Sequence, residues 1–220
     1  MISQYWYRFL SHLGEWPCKR NMESVIIFDN IHGKGLDIGH NGDYSFENNN
    51  VIKLNIYPGE NIDIVADGES MPFDDGRFDK ILLRCVLEHV KDPGNILKEA
   101  SRVLNRKGKM VIEVPFINPL HGAPEDFFRF TPDGLIKLVE DQGLIVDKIF
   151  FTEDINYAIK WLVWQRFKEN GELGIKILIK MIALKYIINP LFLRSSIPNE
   201  RNFSQFGFVV MKNDLLKVKN

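Results

Sequence analysis

The sequence predicts a doubly wound α/β domain, a mostly parallel seven-stranded sheet flanked by helices. Two observations support this prediction. Short apolar runs rich in Ile and Val end in polar residues, as buried parallel strands tend to do. These runs alternate with segments that have the capping signals and the apolar stripe of helices. Strands that alternate with crossover helices are typical of doubly wound sheets.

The chain length allows one large domain, or one domain with an elaboration. It has 220 residues, of which 45% are hydrophobic, enough to fill a core. We divide it into an N-terminal helical segment over 1–32 and the α/β domain over 33–220. The strands are predicted at 35–39, 51–57, 63–68, 79–85, 109–116, 144–151 and 206–212.

Two crossover helices have recognisable ends. In "KDPGNILKEASRVLNRKG", Asp92 is the predicted N-cap, Pro93 occupies the first position, and Gly108 ends the crossover. In "TPDGLIKLVEDQG", Thr131 is the predicted N-cap and Gly143 the terminator. Both segments therefore have the start and stop signals of a helix between two strands.

A helical insertion is predicted over 155–205, before the last strand. It is very apolar, but three lysines and Pro190 interrupt it, so the roughly 20 consecutive apolar residues of a membrane span are lacking. Two interpretations stay open. The insertion packs on the sheet, or its basic apolar part over 174–194 makes a peripheral contact with a membrane or binds an amphipathic substrate.

Charge and cysteine content limit the compartment and the partners. The chain has 28 Lys and Arg against 29 Asp and Glu, so no nucleic-acid partner is indicated. Cys18 and Cys85 are far apart and fit neither a disulfide framework nor a zinc cluster. The N-terminus lacks the basic start and apolar run of a signal peptide. We expect a cytoplasmic protein, and the sequence leaves its oligomeric state open.

Candidate binding residues follow the ends of the first four strands, because ligands of doubly wound sheets bind outside the carboxyl ends of the strands. This lining combines small residues, which allow close approach, with carboxylates and amides suited to hydroxyls and amines. It comprises Gly39, His40, Asn41, Asn55, Ile56, Asp67, Gly68, Glu69 and Arg84.

The order of motifs resembles that of class I S-adenosylmethionine-dependent methyltransferases, in a type 11-like subgroup. "LDIG" is followed by an acidic residue after strand three, a Met-Pro-Phe turn, Phe78-Asp79, "LEHV", a helix, a Lys-Gly turn and strand five. The resemblance covers about residues 33–150. Within it, "PLHGAPEDFFRFTPDGL" is similar to enzymes found with cell-surface polysaccharide or lipid biosynthesis. The resemblance as a whole implies S-adenosyl-L-methionine as cofactor and a small-molecule, glycan or lipid-linked methyl acceptor.

The resemblance also implies how the cofactor is held. Asp37 and Gly39 would shape the turn beside its methionine portion. Asp67, with the backbone at Gly68 and Glu69, would face the adenine and accept from its exocyclic amine.

The chain departs from the family pattern at three positions. Asn41 and Asp43 stand where further glycines are usual, and Asn55 stands where a carboxylate usually takes the ribose hydroxyls. An amide still bonds a hydroxyl, but the uncharged bond is weaker.

The resemblance implies roles for two further residues of the fourth strand. Arg84 would line the path to the sulfonium, and Asp79 would be structural, placing the fourth strand.

Two histidines are candidates for taking a proton from a hydroxyl acceptor. His121 is the first choice and His89 the second, because the pKa of histidine lies near neutrality. The alternative for His89 is a packing or capping role, and the role of the neighbouring Glu88 stays open in the same way. Asp126 and Arg129, three residues apart, are expected to form a one-turn ion pair. No metal site is predicted.

Two other functions were weighed against methyl transfer. A non-catalytic or cofactor-free protein of methyltransferase fold would use the degenerate turn for binding. A nicotinamide-dependent oxidoreductase is disfavoured, because "GHNGDY" lacks the G-x-G-x-x-G pattern needed at the pyrophosphate.

Overall fold

The structure is a computed structural model that describes residues 21–47, 50–121, 125–155, 157–158 and 203–213. The predicted N-terminal segment before residue 21 and nearly all of the predicted insertion, including 174–194, lie outside the described residues. None of the described helices is both long and apolar enough to span a membrane. The domain boundary near residue 32 stays a prediction.

The described residues contain a seven-stranded sheet in the order β3-β2-β1-β4-β5-β7-β6. Strands β1 to β5 pair in parallel with their neighbours, and β7 lies antiparallel between β5 and β6. The predicted fold class is therefore confirmed. The strands are β1 (Gly35–Ile38), β2 (Val51–Asn55), β3 (Ile64–Val65), β4 (Phe78–Arg84), β5 (Leu104–Pro115), β6 (Leu144–Asp154) and β7 (Phe203–Lys212).

Helices cover both faces of the sheet. Helix α1 (Glu23–Asp29) buries Val25 and Phe28 against one face, in a cluster with residues of β4 and β5. Helices α2 (Pro93–Val103) and α3 (Pro132–Asp141) bury their apolar stripes against the other face. A 3-10 turn spans residues 87–89 after β4. Because β1 to β5 are parallel, their carboxyl ends lie together along one edge of the sheet.

The predicted helix caps are confirmed. The carboxylate of Asp92 accepts hydrogen bonds from the backbone N–H groups of Gly94 and Asn95, at 3.0 and 3.2 Å. The hydroxyl of Thr131 accepts from the N–H of Gly134 at 3.1 Å. Each cap satisfies donors at the start of a helix that have no partner within the helix.

Several predicted boundaries differ from the structure, most of all at the start of β5 and at β3. Helix α2 ends at Val103, and β5 begins at once, because Leu104 already pairs with Phe78 of β4. Strand β3 has only two residues. The Asp63 carboxylate accepts from the N–H of Lys53 at 2.8 Å. Just before β3 begins, a side chain therefore binds a backbone donor of β2.

The predicted structural role of Asp79 is confirmed. Its carboxylate accepts from the N–H of Lys34 at 2.7 Å and also from the side chain of Asn105. These bonds join the segments that enter β1, β4 and β5, at the edge opposite to the carboxyl ends of the strands.

Candidate cofactor and acceptor site

The turn after β1 requires glycine at position 39. Gly39 has a φ of +81°, and a Cβ placed there would lie 2.6 Å from Cγ2 of Val86. The N–H groups of Gly39 and His40 both donate to the carbonyl of Leu54, at 2.8 and 3.2 Å. The turn is thus held between β2 and the segment after β4, where an L side chain would be strained and crowded.

A buried cluster of polar side chains stabilises this turn. Nδ1 of His40 lies 2.7 Å from Oδ2 of Asp37, and the hydroxyl of Tyr44 donates to the same carboxylate at 2.8 Å. Burial raises the pKa of Asp37, while the hydrogen bonds from His40 and Tyr44 act in the opposite direction. The predicted turn-shaping role of Asp37 has a structural basis in these bonds. The His40 side chain points into the protein, so only its backbone faces the turn.

The rest of the turn is open to solvent. Asn41 and Asp43 are exposed and hydrogen-bond each other, and the side-chain oxygen Oδ1 of Asn41 accepts from the backbone N–H of Asp43 at 3.2 Å. Gly42 between them has a φ of +85°, and a Cβ placed there would meet nothing within 4 Å. The side chain of Asn41 therefore stabilises the bend at Gly42.

Asn55 connects the ends of β1 and β2. Its Nδ2 donates to the carbonyl of His40 at 2.7 Å, and its Oδ1 accepts from the N–H of Tyr57 at 2.9 Å. A carboxylate cannot make the first bond because it has no hydrogen to donate. The amide at this position is therefore explained by the turn itself, which needs a donor here. Its bond to a ribose hydroxyl stays a prediction.

The segment after β3 presents an exposed carboxylate beside exposed apolar surface. Asp67 is exposed, and its Oδ1 accepts from the N–H of Glu69 at 2.9 Å. Gly68 is buried, and a Cβ there would lie 2.7 Å from Cδ1 of Ile96. Ile56, at the end of the neighbouring strand, is 55% exposed. An apolar side chain next to a carboxylate suits a flat base with an exocyclic amine.

Arg84 lies in a buried ion pair. Its Nε is 3.1 Å from Oε2 of Glu113 on β5, and its NH2 donates to the carbonyl of Asn21 at 3.2 Å. Glu113 also accepts from the hydroxyls of Ser24 and Thr152. These bonds tie α1, β4, β5 and β6 together. Arg84 thus has a structural role, and its place on the path to a sulfonium stays a prediction.

The two predicted catalytic histidines lie together beside Glu88. The rings of His89 and His121 are 5.1 Å apart and perpendicular. Their Nε2 atoms are 3.6 and 3.9 Å from Oε1 of Glu88. Burial raises the pKa of Glu88 to about 8, and burial also lowers the pKa of His121. The lowered pKa favours the neutral form of the His121 imidazole, which has a nitrogen that can accept a proton.

An ion pair and two hydrogen bonds of the segment after β5 hold His121 in this position. Asp126 and Arg129 form the expected ion pair, and the second oxygen of Asp126 accepts from the N–H of His121 at 2.9 Å. The Arg129 side chain lowers the pKa of Asp126 to about 2, so this carboxylate stays charged. The N–H of Phe127 donates to the carbonyl of Glu88 at 2.7 Å and joins the segment after β5 to the 3-10 turn.

Known proteins match both the sequence and the fold. A family model described as "Methyltransferase domain" matches residues 36–112, which run from β1 into β5. A ubiquinone/menaquinone biosynthesis C-methyltransferase of Rickettsia prowazekii is 39% identical over 86 residues, which cover 39% of this chain and 34% of that protein. Residues 36–112 match a methyltransferase domain.

Two solved structures share the fold of this methyltransferase domain. A SAM-dependent methyltransferase of Archaeoglobus fulgidus has a TM-score of 0.53 at 19% identity, covering 87% of this chain and 91% of that one. A 1,6-didemethyltoxoflavin-N1-methyltransferase of Burkholderia thailandensis, solved with S-adenosylhomocysteine, has a TM-score of 0.54 at 13% identity, covering 97% of this chain and 85% of that one. The chain spans about a third to a half of the length of the curated relatives it matches.

The methyltransferase domain brings the predicted residues into two groups. One lies at the ends of β1 to β3 and contains the predicted cofactor residues apart from Arg84. The other lies after β4 and β5 and contains both histidines. The sequence interpretation left the role of Glu88 open and missed Tyr44 and Glu113. Glu113 had a signal: it is a charged residue in the apolar run "KMVIEVPF", as Arg84 is in "DKILLRC".

Proposed function

We propose that this chain transfers a methyl group from S-adenosyl-L-methionine to a small-molecule, glycan or lipid-linked acceptor. One observation carries the proposal. The residues that match the methyltransferase family include the glycine turn and Asp67, and the sheet brings both to the same edge. This edge is where doubly wound sheets bind their ligands.

The residues at this edge fit the cofactor. Gly39 allows a tight turn, and the open space beside Gly42 leaves room for close approach to the backbone. The exposed Asp67 carboxylate would accept from the adenine amine, and the exposed Ile56 side chain would cover the face of the ring. When bound, S-adenosylmethionine supplies a methyl group that is already activated as part of a sulfonium.

The protein's own contribution is to position the acceptor and to accept its proton. Holding two reactants in line is worth about 7–11 kcal/mol at its upper range. Nε2 of His121 would accept the proton of a hydroxyl acceptor, supported by the neutral state of this imidazole and its partial exposure. Asp126 and Arg129 then act as positioning residues for His121.

The surface around His121 favours an acceptor with an apolar part. Leu120, Phe127 and Phe128 are exposed to 77%, 42% and 37%, and the rings of Phe127 and Phe128 are 6.3 Å apart. Exposed aromatic side chains next to polar groups often mark ligand-binding sites. Lipid-linked or otherwise apolar acceptors therefore fit better than a free sugar.

A cofactor-free binding protein is the second candidate, and one observation favours it. Both polar groups of Asn55 are engaged with backbone atoms of this chain, where the family uses a carboxylate for the ribose. If this engagement removes too much affinity, the fold would bind a partner without methyl transfer. Fold alone does not decide between the two.

Ligand-dependent thermal stability separates the candidates. We expect S-adenosylhomocysteine at 100 times its Kd to stabilise the chain by about 2.7 kcal/mol, which corresponds to a rise in Tm of roughly 5–10 °C. NAD should give no rise, because the turn lacks the dinucleotide pattern. No response to either compound would favour the binding protein.

Asp67→Ala tests the adenine position. We expect this variant to lose the stabilisation by S-adenosylhomocysteine while its own Tm stays near that of the wild type, because Asp67 is exposed. Asp74→Ala, which removes an exposed carboxylate of the same β3–β4 connection, is the matched control and should keep the response. An undiminished response in Asp67→Ala would remove adenine from this position.

His121→Ala tests the proton acceptor. We expect normal stabilisation by S-adenosylhomocysteine but methyl transfer to a hydroxyl acceptor that is slower by about 10²- to 10⁴-fold. The measurement is release of S-adenosylhomocysteine with quinol, glycan and lipid-linked hydroxyl acceptors. His32→Ala, an exposed histidine before β1, should transfer at the wild-type rate. Wild-type turnover in His121→Ala would exclude this imidazole from the reaction.

A further inference from the structure

Glu88 is a buried carboxyl group that lacks a partner of its own. Its side chain is 0% exposed, and among the described residues neither of its side-chain oxygens has a hydrogen-bond partner. Most buried polar side-chain atoms have a partner, and an unpartnered buried group calls for an explanation such as a bound ion. Two imidazoles face this carboxyl group, those of His89 and His121.

Both imidazoles present a lone pair to the carboxyl group. Nδ1 of His89 lies against the carbonyl oxygen of Glu125, and Nδ1 of His121 lies 3.0 Å from the carbonyl oxygen of Pro119. A carbonyl oxygen only accepts, so these contacts assign the hydrogen to Nδ1 and leave the lone pair on Nε2. Histidines that bind metals usually donate their other N–H to such a carbonyl or carboxylate.

The guanidinium of Arg129 does not alter this assignment. Its NH2 lies 3.3 Å from Nδ1 of His121, but it also donates to the carbonyl of Pro119 at 3.0 Å and to Asp126 at 2.6 Å. These two acceptors are closer and take both hydrogens of this nitrogen, so Nδ1 of His121 keeps its own hydrogen and Nε2 keeps its lone pair.

We propose that Glu88, His89 and His121 bind one divalent transition-metal ion. Each residue offers one ligand atom, and the three atoms all lie within 4.8 Å of one another. The Nε2 atoms lie 3.6 and 3.9 Å from Oε1 of Glu88. Bonds of about 2.0–2.1 Å to a tetrahedral zinc ion would place two ligands roughly 3.4 Å apart, so these two separations need to shorten by only a few tenths of an ångström.

The ligand types favour certain metal ions, and the partial exposure of the two histidines leaves a bound ion accessible to solvent. Two imidazoles and a carboxylate suit Zn²⁺, Co²⁺, Ni²⁺ or Fe²⁺ better than Mg²⁺ or Ca²⁺. The side chains of His89 and His121 are 17% and 28% exposed, so the ion would keep an open position on the solvent side. Three protein ligands and one open position are the arrangement of catalytic zinc sites.

The sequence hid this site, because its two halves lie 32 residues apart in the chain. Glu88 and His89 follow β4, while His121 follows β5, and the parallel register brings both segments to one edge. The Phe127–Glu88 backbone bond and the Asp126–His121 bond then fix the second segment over the first. A bound ion would occupy Nε2 of His121, so only the metal-free protein can use this nitrogen as a base.

Metal titration of the full chain, without an affinity tag, tests the proposal. We expect one Zn²⁺ per chain by calorimetry, and Co²⁺ absorption bands of a low-coordinate site that Zn²⁺ abolishes. Loss of a group that only supports a ligand typically costs 10–100-fold in affinity, so His89→Ala and His121→Ala should each weaken Zn²⁺ binding by at least about 100-fold. Glu88→Gln, which keeps the side-chain volume, should weaken it as well.

His32→Ala is the matched control, because His32 is exposed at the opposite edge of the sheet. It should bind Zn²⁺ as the wild type does, and thermal melts of all variants would confirm that they fold. Absence of Zn²⁺ binding by the folded wild type, or Zn²⁺ binding by His89→Ala and His121→Ala as tight as that of the wild type, would overturn the proposal. The titration needs no cofactor or acceptor, so its outcome is independent of the response to S-adenosylhomocysteine that tests the proposed function.

Discussion

Replacing Glu113 by alanine should lower the free energy of unfolding by about 3–5 kcal/mol. Glu113 is 1% exposed and accepts hydrogen bonds from Arg84, Ser24 and Thr152. Its removal leaves the guanidinium of Arg84, itself only 7% exposed, without the carboxylate that it binds directly. An uncompensated buried charge costs far more than the loss of the hydrogen bonds alone. Urea unfolding, with the slope m compared between variants, measures the change.

Two further variants show that burial causes this loss. Lys109 lies on the same strand and pairs with Asp147 at 2.8 Å, but both side chains are well exposed. Lys109→Ala should therefore cost no more than about 1 kcal/mol. The double variant Arg84→Met/Glu113→Leu removes both charges, and should be more stable than Glu113→Ala. Equal stability of Glu113→Ala and Lys109→Ala would refute a structural role for the ion pair.

The fold was predictable because its signals are local. Asp92 and Thr131 each precede a proline and an apolar stripe, so the starts of α2 and α3 can be recognised without tertiary information. The end of α2 was not predictable in this way. Leu104 continues the apolar stripe, but it pairs with Phe78 on β4, and strand pairing overrides helical periodicity there.

The candidate site was only partly predictable, because contacts across the sheet decide the role of each side chain. The sequence singles out Asn55 as a departure from the pattern that the resemblance implies. Its reason, a hydrogen bond to the carbonyl of His40, depends on how the turn after β1 meets β2. His89 and His121 were proposed as alternatives, whereas the structure makes them neighbours that share Glu88. Residue types in one chain do not reveal such convergence.

Replacing Gly39 by alanine should destabilise the chain by about 2–5 kcal/mol and weaken its response to S-adenosylhomocysteine. Two effects add. A residue with a Cβ in the left-handed region costs roughly 1–2 kcal/mol. Overpacking typically costs a further 1–3 kcal/mol, and it arises here because the new Cβ would lie 2.6 Å from Cγ2 of Val86. Urea unfolding and the thermal shift with S-adenosylhomocysteine measure the two consequences.

Gly42→Ala separates these two effects. Gly42 has nearly the same φ, +85° against +81°, but a Cβ there meets nothing within 4 Å. Its unfolding free energy should therefore fall only by the backbone part. Val86→Ala should relieve the crowding in Gly39→Ala, giving a coupling energy of about 1–3 kcal/mol in a double-mutant cycle. A coupling energy of zero would show that crowding against Val86 is not the reason that position 39 requires glycine. Since Val86 directly precedes the turn that carries Glu88 and His89, this contact also links the turn after β1 to the segment that holds these two residues.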